Sequence, residues 1–273
     1  MHTWKNTVCK METPKREDNA MKQSFLRGDV PLLVSMMSDT TPRGLLAKMQ
    51  EAIQEGTEGF CLLLEKIEAK YRTAETWRRL FAAAEGRPVY VTNYRRNANE
   101  GKTDEEIAKE LLLMAECGAD LCDVMGDFFD PTPGEWTEDP AAIQKQKDLI
   151  ARLHEKGAGV LMSSHILAFT PAERVLAIAK GQKERGADVS KIVTGAESME
   201  EQIENLRITH LLKKELGAPF LFLAGGECHL SRRLGATLGN CMTLCVKPTK
   251  ETPAPIQPAL GEMHAIRDLF PIR

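Results

Sequence analysis

Aromatic side chains are scarce, making up 5% of the 273 residues. That suits an Ala/Leu-rich α/β protein better than a β-sandwich. An excess of one charge is also missing: 36 basic residues face 39 acidic ones, for a formal net charge of −3. A nucleic-acid partner would call for a basic face, so none is expected. No apolar run reaches the ~18 residues of a membrane span. Met1–Lys22 lacks the apolar stretch of a secretory signal, so a cytoplasmic protein is expected. The seven cysteines, Cys9, Cys61, Cys117, Cys122, Cys228, Cys241 and Cys245, include no CxxC pair. They read as reduced thiols, several packed as small hydrophobes. Cys241 and Cys245 are spaced to share one face of a strand.

What is present is a repeat, carried by a chain that is 42% hydrophobic. Short apolar runs alternate with longer segments of helical period. Strands are expected at Leu32–Met36, Gly59–Leu64, Val89–Asn93, Leu121–Val124, Val160–Ser163, Lys191–Thr194, Phe220–Leu223 and Met242–Val246. Helices are expected at Pro42–Gln54, Ala74–Glu85, Asp104–Cys117, Asp139–Glu155, Pro171–Arg185, Met199–Leu216, Ser231–Leu238 and Ala259–Leu269. Thr41-Pro42 and Thr170-Pro171 supply an N-cap followed by proline. Glycines 56, 86, 118, 157, 186 and 217 each follow a helix. Gly-Ala-Asp occurs twice before a strand, at 118–120 and 186–188. Such strand–helix units of roughly 30 residues make a (β/α)8 TIM barrel of about 250 residues. A doubly wound sheet would carry a glycine fingerprint after its first strand, and Met37-Ser38-Asp39-Thr40-Thr41-Pro42 has none. The expected organisation is one barrel domain over residues 25–273, preceded by an extension over 1–24, part of which could close the barrel bottom.

Barrel chemistry sits at the C-terminal strand ends. There the sequence offers Tyr94, Arg95, Arg96 and Glu100 after strand 3, His165 after strand 5, and Lys191 within strand 6. A lysine between apolar residues of an inner strand is costly to bury as a cation. Desolvation favours its neutral amine, which can attack a carbonyl. The alternative is a strand-end lysine whose ammonium reaches solvent. His165 is placed to shuttle a proton or to be a hydrogen-bonded structural histidine. The acids Asp123, Asp127 and Asp130 could hold a divalent metal with Glu135. The plainer reading is a solvated loop around the turn Pro131-Thr132-Pro133-Gly134.

Several of these segments resemble one family. Ser163-Ser164-His165-Ile166-Leu167-Ala168-Phe169-Thr170-Pro171 resembles the strand-5 motif of type I 3-dehydroquinate dehydratases, Ser-Asn-His-Asp-Phe-x-x-Thr-Pro. Gly186-Ala187-Asp188-Val189-Ser190-Lys191-Ile192 is similar to the family's Gly-Ala-Asp-x-x-Lys-Ile, which carries the Schiff-base lysine. Ser231-Arg232-Arg233-Leu234-Gly235 resembles its Ser-Arg-Leu-x-Gly. Thr252-Pro253-Ala254-Pro255-Ile256-Gln257 resembles its Ser-Ala-Pro-Gly-Gln lid. The likeness runs in order over about residues 25–270.

The resemblance implies a barrel enzyme, commonly a homodimer, that needs neither metal nor cofactor and takes a small keto acid. Lys191 would form an imine with the ketone. His165 would move the protons, oriented by Glu100. Arg232 and Gln257, with Ala254 in the lid, would hold the substrate carboxylate. One of Arg95 and Arg96 would match the family's strand-3 arginine. The chain also departs from the family pattern. Where relatives read Glu-Trp-Arg-x-Asp after strand 2, this chain reads Leu62-Leu63-Leu64-Glu65-Lys66, so the charged pair is apolar here or displaced to Glu65 and Lys66. Ile166-Leu167 replaces Asp-Phe, and Pro253 replaces the lid serine. The resemblance therefore points to a divergent hydro-lyase acting on 3-dehydroquinate or a related cyclic keto acid with fewer or shifted hydroxyls. The rivals are an aldolase-type carbon–carbon lyase using the same lysine and a ligand-binding homologue without activity.

Overall fold

The computed structural model describes residues 24–26, 31–226, 228–249 and 256–270. Its strands are β1 (Leu32–Met37), β2 (Gly59–Leu63), β3 (Val89–Thr92), β4 (Leu121–Met125), β5 (Gly159–His165), β6 (Val189–Thr194), β7 (Phe220–Ala224) and β8 (Met242–Cys245). Between and after them run α1 (Pro42–Gln54), α2 (Ala74–Ala82), α3 (Asp104–Glu116), α4 (Pro140–Glu155), α5 (Ala172–Glu184), α6 (Met199–Glu215), α7 (His229–Leu238) and α8 (Leu260–Leu269). Each expected strand and helix is found, with ends shifted by a few residues.

All strand pairs are parallel, in the order β7-β6-β5-β4-β3-β2-β1-β8. At the remaining seam, between β7 and β8, Cys241 N–H donates to the Phe220 carbonyl at 2.9 Å. The Asn240 amide exchanges two bonds with the Phe222 backbone, each 2.9 Å. A side-chain amide here takes the place of a peptide group and nearly closes the barrel.

Local chemistry accounts for the punctuation. Thr41 caps α1 by accepting from Gly44 N–H, with Pro42 at the first helical position. Thr103 and Glu106 form a capping box on α3, which satisfies otherwise orphaned donors. The repeated Gly-Ala-Asp has a double purpose. Gly118 and Gly186 adopt φ of 109° and 104°, which an L side chain resists. The aspartate two residues on then caps the neighbouring strand: Asp120 accepts from Val89 N–H at 2.9 Å and Asp188 from Val160 N–H at 2.8 Å.

Alternate strand residues fill the barrel. The inner core holds Leu32, Val34, Cys61, Tyr90, Leu121, Leu161, Val189, Leu221 and Met242. Phe25 is buried with them and meets Tyr90 edge-on at 6.3 Å. The expected extension, apart from Ser24, lies outside the described residues, as does Cys9. Leu62 and Leu64 pack outward with the helices, in the same cluster as Leu45, Trp77 and Leu111. The other six cysteines are free and buried. Cys241 and Cys245 do not share a face: Cys241 joins the inner core and Cys245 packs outside against Leu260 and Met263. Cys241 precedes β8 rather than belonging to it, so strand alternation does not govern it. Among the described residues no helix is long and apolar enough to cross a membrane.

Candidate active site

Alternation on β6 sends Val189, Lys191 and Val193 inward, while Ile192 packs outside with α5 and α6. The Lys191 side chain is only 6% exposed. A buried ammonium needs partners, and they come from two other strands. Lys191 Nζ lies 2.7 Å from Tyr94 Oη, 3.1 Å from Tyr90 Oη and 3.3 Å from Asp123 Oδ2. Asp123 is fully enclosed. Its Oδ1 accepts from Ser163 at 2.5 Å, and its Oδ2 accepts from Tyr94 at 2.6 Å and from Tyr90. Burial alone would raise the Asp123 pKa, but the Lys191 charge and the three hydroxyl bonds outweigh it and hold the carboxyl below its ordinary value. Burial, then the Asp123 charge, push both tyrosines well above the usual phenol range.

His165 ends β5 beside this cluster. Its ring meets the Tyr94 ring edge-on at 5.3 Å, and its Nδ1 lies 2.5 Å from Glu135 Oε2. Glu135 adopts a left-handed φ of 52°. Its carbonyl is held by Ser164 Oγ at 2.8 Å, and a Cβ on Gly126 would come within 2.6 Å of that same oxygen. The loop is anchored from behind by buried Arg185, which donates to the Gly126 and Thr137 carbonyls and to Gln146 Oε1 and lies 3.6 Å from the Trp136 ring centroid. The expectation that Glu100 orients His165 is corrected: Glu100 is exposed at the end of a 3-10 turn, and Glu135 occupies the place. The candidate metal acids are dispersed. Asp123 serves Lys191, Asp127 accepts from Arg95 and Thr132 N–H, Asp130 accepts from Thr137, and Glu135 meets His165. Among the described residues no cluster of His, Cys, Asp or Glu is arranged to hold a metal ion.

Lys191 and His165 line one cavity of about 180 Å³ with Thr92, Tyr94, Arg96, Arg232 and Gln257. Its apolar wall includes Met36, Leu63, Leu223 and Leu244. A second space of about 280 Å³ shares Tyr94, Arg96 and His165 and extends to Glu135 and Leu167. A larger cleft of about 530 Å³ lies alongside, over β1, α1 and β8. Its Lys48 and Lys247 are paired with acids, and neither Lys191 nor His165 lines it.

Arg232, on α7, is buried and spends Nε on the Ala224 carbonyl at 2.6 Å. No carboxylate among the described residues pairs with it. Burial lowers its pKa to about 10, which leaves it cationic at neutral pH. Gln257 Oε1 is buried without a hydrogen-bond partner among the described residues. Ala254 lies outside the described residues. Arg95 turns away from the Lys191 cavity, with two bonds of 2.7 Å to Asp104 and one of 2.8 Å to Asp127. Arg96 is the strand-3 arginine of that cavity, 4.8 Å over the Tyr94 ring. After β2 the sequence left two readings open, an apolar patch or a charged pair displaced to Glu65 and Lys66; Leu63 does line the cavity, and for the acid the second reading holds. Leu62 and Leu64 face the helices, and a 3-10 turn buries Glu65, which accepts from Thr92 at 2.8 Å and pairs with Arg96 at 3.2 Å. The acid is displaced rather than lost.

The sequence offered signals for the groups it did not combine. Two of the chain's three tyrosines fall at Tyr90 and Tyr94, four apart and therefore on one face of β3 and its continuation. Asp123 sits on an inner-facing position of β4, two strands from Lys191.

A model of the family described as type I 3-dehydroquinase matches residues 63–271. A 3-dehydroquinate dehydratase of Lactiplantibacillus plantarum is 27% identical over 140 residues, 50% of this chain and 54% of that one. One from Alkaliphilus oremlandii is 30% identical over 123 residues, 44% and 48% of the two chains. The chain thus spans about half the length of these curated relatives. Among solved structures, 3-dehydroquinate dehydratase from Geobacillus kaustophilus superposes with a TM-score of 0.74 at 19% identity, covering 89% of this chain and 92% of that one. The type I enzyme from Clostridium difficile gives 0.74 at 16% identity, covering 89% and 94%.

Proposed function

Because the chain belongs to the type I 3-dehydroquinase family, we propose that it is a hydro-lyase that dehydrates 3-dehydroquinate, or a closely related cyclic keto acid, through an imine on Lys191. The observation that carries this reading is the buried Lys191 sharing a cavity with His165 and with an arginine that has no acidic partner among the described residues.

The substrate carboxylate pairs with Arg232, whose remaining donors are suited to a planar anion. The Gln257 amide completes its hydrogen bonding on the same ligand. Lys191 attacks the ketone and expels water, giving a protonated imine. That cation sits where the ammonium sat, so Asp123 remains its counter-charge. The iminium acidifies the adjacent carbon, because the electrons left on carbon delocalise into C=N. His165 takes this proton at Nε2, while Glu135 accepts from Nδ1 and fixes the tautomer. The resulting enamine expels the β-hydroxyl, which leaves as water with the proton from His165. Hydrolysis of the imine then releases a conjugated enone. The hydroxyl-bearing end of the substrate meets Arg96 and Thr92, both braced by Glu65.

Incubation with 3-dehydroquinate and related cyclic keto acids, then borohydride, tests this. A reduced adduct on Lys191 by peptide mass spectrometry and a rising near-ultraviolet enone band are expected. No Lys191 adduct with any of them overturns the mechanism, and an adduct with cleavage fragments but no enone favours the aldolase-type reading. By likeness to the family we also expect a homodimer, and a monomer in sedimentation velocity would refute that.

A further inference from the structure

We propose that Tyr94 and Asp123 form a proton relay that turns the Lys191 ammonium into the attacking amine and then supplies the proton with which the carbonyl oxygen leaves as water, leaving His165 to the elimination. This rests on the imine reading and adds to it a second, separate acid–base pair.

An ammonium has three N–H donors and no lone pair. Tyr94, Tyr90 and Asp123 surround the Lys191 nitrogen at 2.7, 3.1 and 3.3 Å. Held so, it cannot attack a carbonyl until a neighbouring group takes one of its protons. Tyr94 Oη bridges the gap, 2.7 Å from Nζ and 2.6 Å from Asp123 Oδ2. One N–H proton passes from Lys191 to Tyr94 Oη as the Tyr94 hydroxyl proton passes to Asp123. All three groups are then neutral, and two buried opposite charges have cancelled.

The amine lone pair now forms the C–N bond and the carbonyl π pair moves to oxygen. Transfer of the surplus nitrogen proton to that oxygen gives a neutral carbinolamine. The nitrogen lone pair then forms C=N as the C–O bond breaks. The proton stored on Asp123 returns through Tyr94 and leaves with the oxygen as water. The iminium faces a restored carboxylate, so the site gains one carbonyl compound, loses one water and keeps its charge. Tyr94 lines the cavities on both sides and touches the His165 ring, whereas Tyr90 lines neither cavity. Both phenols, held well above their usual pKa by burial, pass protons as neutral hydroxyls.

Formaldehyde with cyanoborohydride methylates any amine that can form an imine and needs no knowledge of the substrate. In the wild type, Lys191 should be methylated. Tyr94→Phe should cut that rate by about tenfold or more relative to exposed Lys145 in the same molecules, and should slow the keto-acid adduct equally. Tyr90→Phe should lose less. Labelling of Lys191 in Tyr94→Phe at the wild-type rate or faster overturns the relay, because a hydroxyl that merely holds the ammonium would free the amine when removed. A second measurement uses the wild type alone. Labelling rates in H2O–D2O mixtures should follow a curved proton inventory if two protons move together, and a linear one overturns the proposal. If the formaldehyde ordering holds while no keto acid gives an adduct, the lyase reading falls and the relay stands.

Discussion

His165 Nδ1 and Glu135 Oε2 lie 2.5 Å apart, a contact between a strand end and a loop residue 30 positions earlier. In the proposed mechanism Glu135, as a carboxylate that can only accept, fixes the tautomer with its proton on Nδ1 and leaves Nε2 as the base. Glu135→Gln should lower kcat about a hundredfold or more, the scale of a lost acid–base catalyst, with little change in KM. Glu100→Gln should stay close to wild type. Steady-state assays following the enone check this pair, and the reverse ordering would restore Glu100 to the orienting role.

Arg232 is expected to govern substrate affinity. Hydrogen bonds to a charged group are worth about 1.5–3 kcal/mol, so Arg232→Met should raise KM tenfold to about a hundredfold. Arg96→Met should cost less, because its side chain is 55% exposed and already paired with Glu65. An ester of the keto acid should bind wild type and Arg232→Met alike, which identifies the carboxylate as the group that Arg232 reads.

Arg185 supports Glu135 at a distance. Arg185→Leu leaves the Thr137 carbonyl and Gln146 Oε1 without the donor they have here and takes one of three donors from the Gly126 carbonyl. The expected loss is about 3 kcal/mol in urea unfolding, with a fall in kcat as the loop loosens. Lysine should not rescue, since it can neither lie flat on Trp136 nor reach three acceptors in a planar fork.

The pairing of Lys191 with Asp123 should appear in stability as well as rate. Breaking a buried ion pair costs about 3–5 kcal/mol, so Asp123→Asn should be markedly destabilised, and adding Lys191→Met should recover part of the loss. Asp123 has a folded pKa below its ordinary value of 3.8. Its contribution is therefore complete above that value and is lost as pH falls through the lower, folded pKa. Acid unfolding of the double variant should be correspondingly flatter below pH 4, as read by circular dichroism.

The sequence by itself determined the repeat, the barrel and the two groups that stand at its centre. Alternation of period two is a local property, so Val189-Ser190-Lys191-Ile192-Val193 already set the lysine on the inner face, and Ser163-Ser164-His165 set the histidine at a strand's end. The family resemblance added Arg232 and Gln257, which line the cavity with Lys191. Only the tertiary structure decided who meets whom. Glu100 and Glu135 are both acids on loops near the barrel mouth, and the Arg185–Trp136 anchor brings Glu135 to His165. Arg95 and Arg96 are adjacent in the chain, but Asp104 and Asp127 hold Arg95 aside. The leucines at the end of β2 left open whether the charged pair was lost or displaced; alternation turns Leu62 outward, and the 3-10 turn buries Leu64 against the helices and returns Glu65 to Arg96. Tyr94 and Lys191 stand 97 residues apart. No local pattern carries such a contact, because it depends on the register of every strand between them and on the closing of the sheet into a barrel.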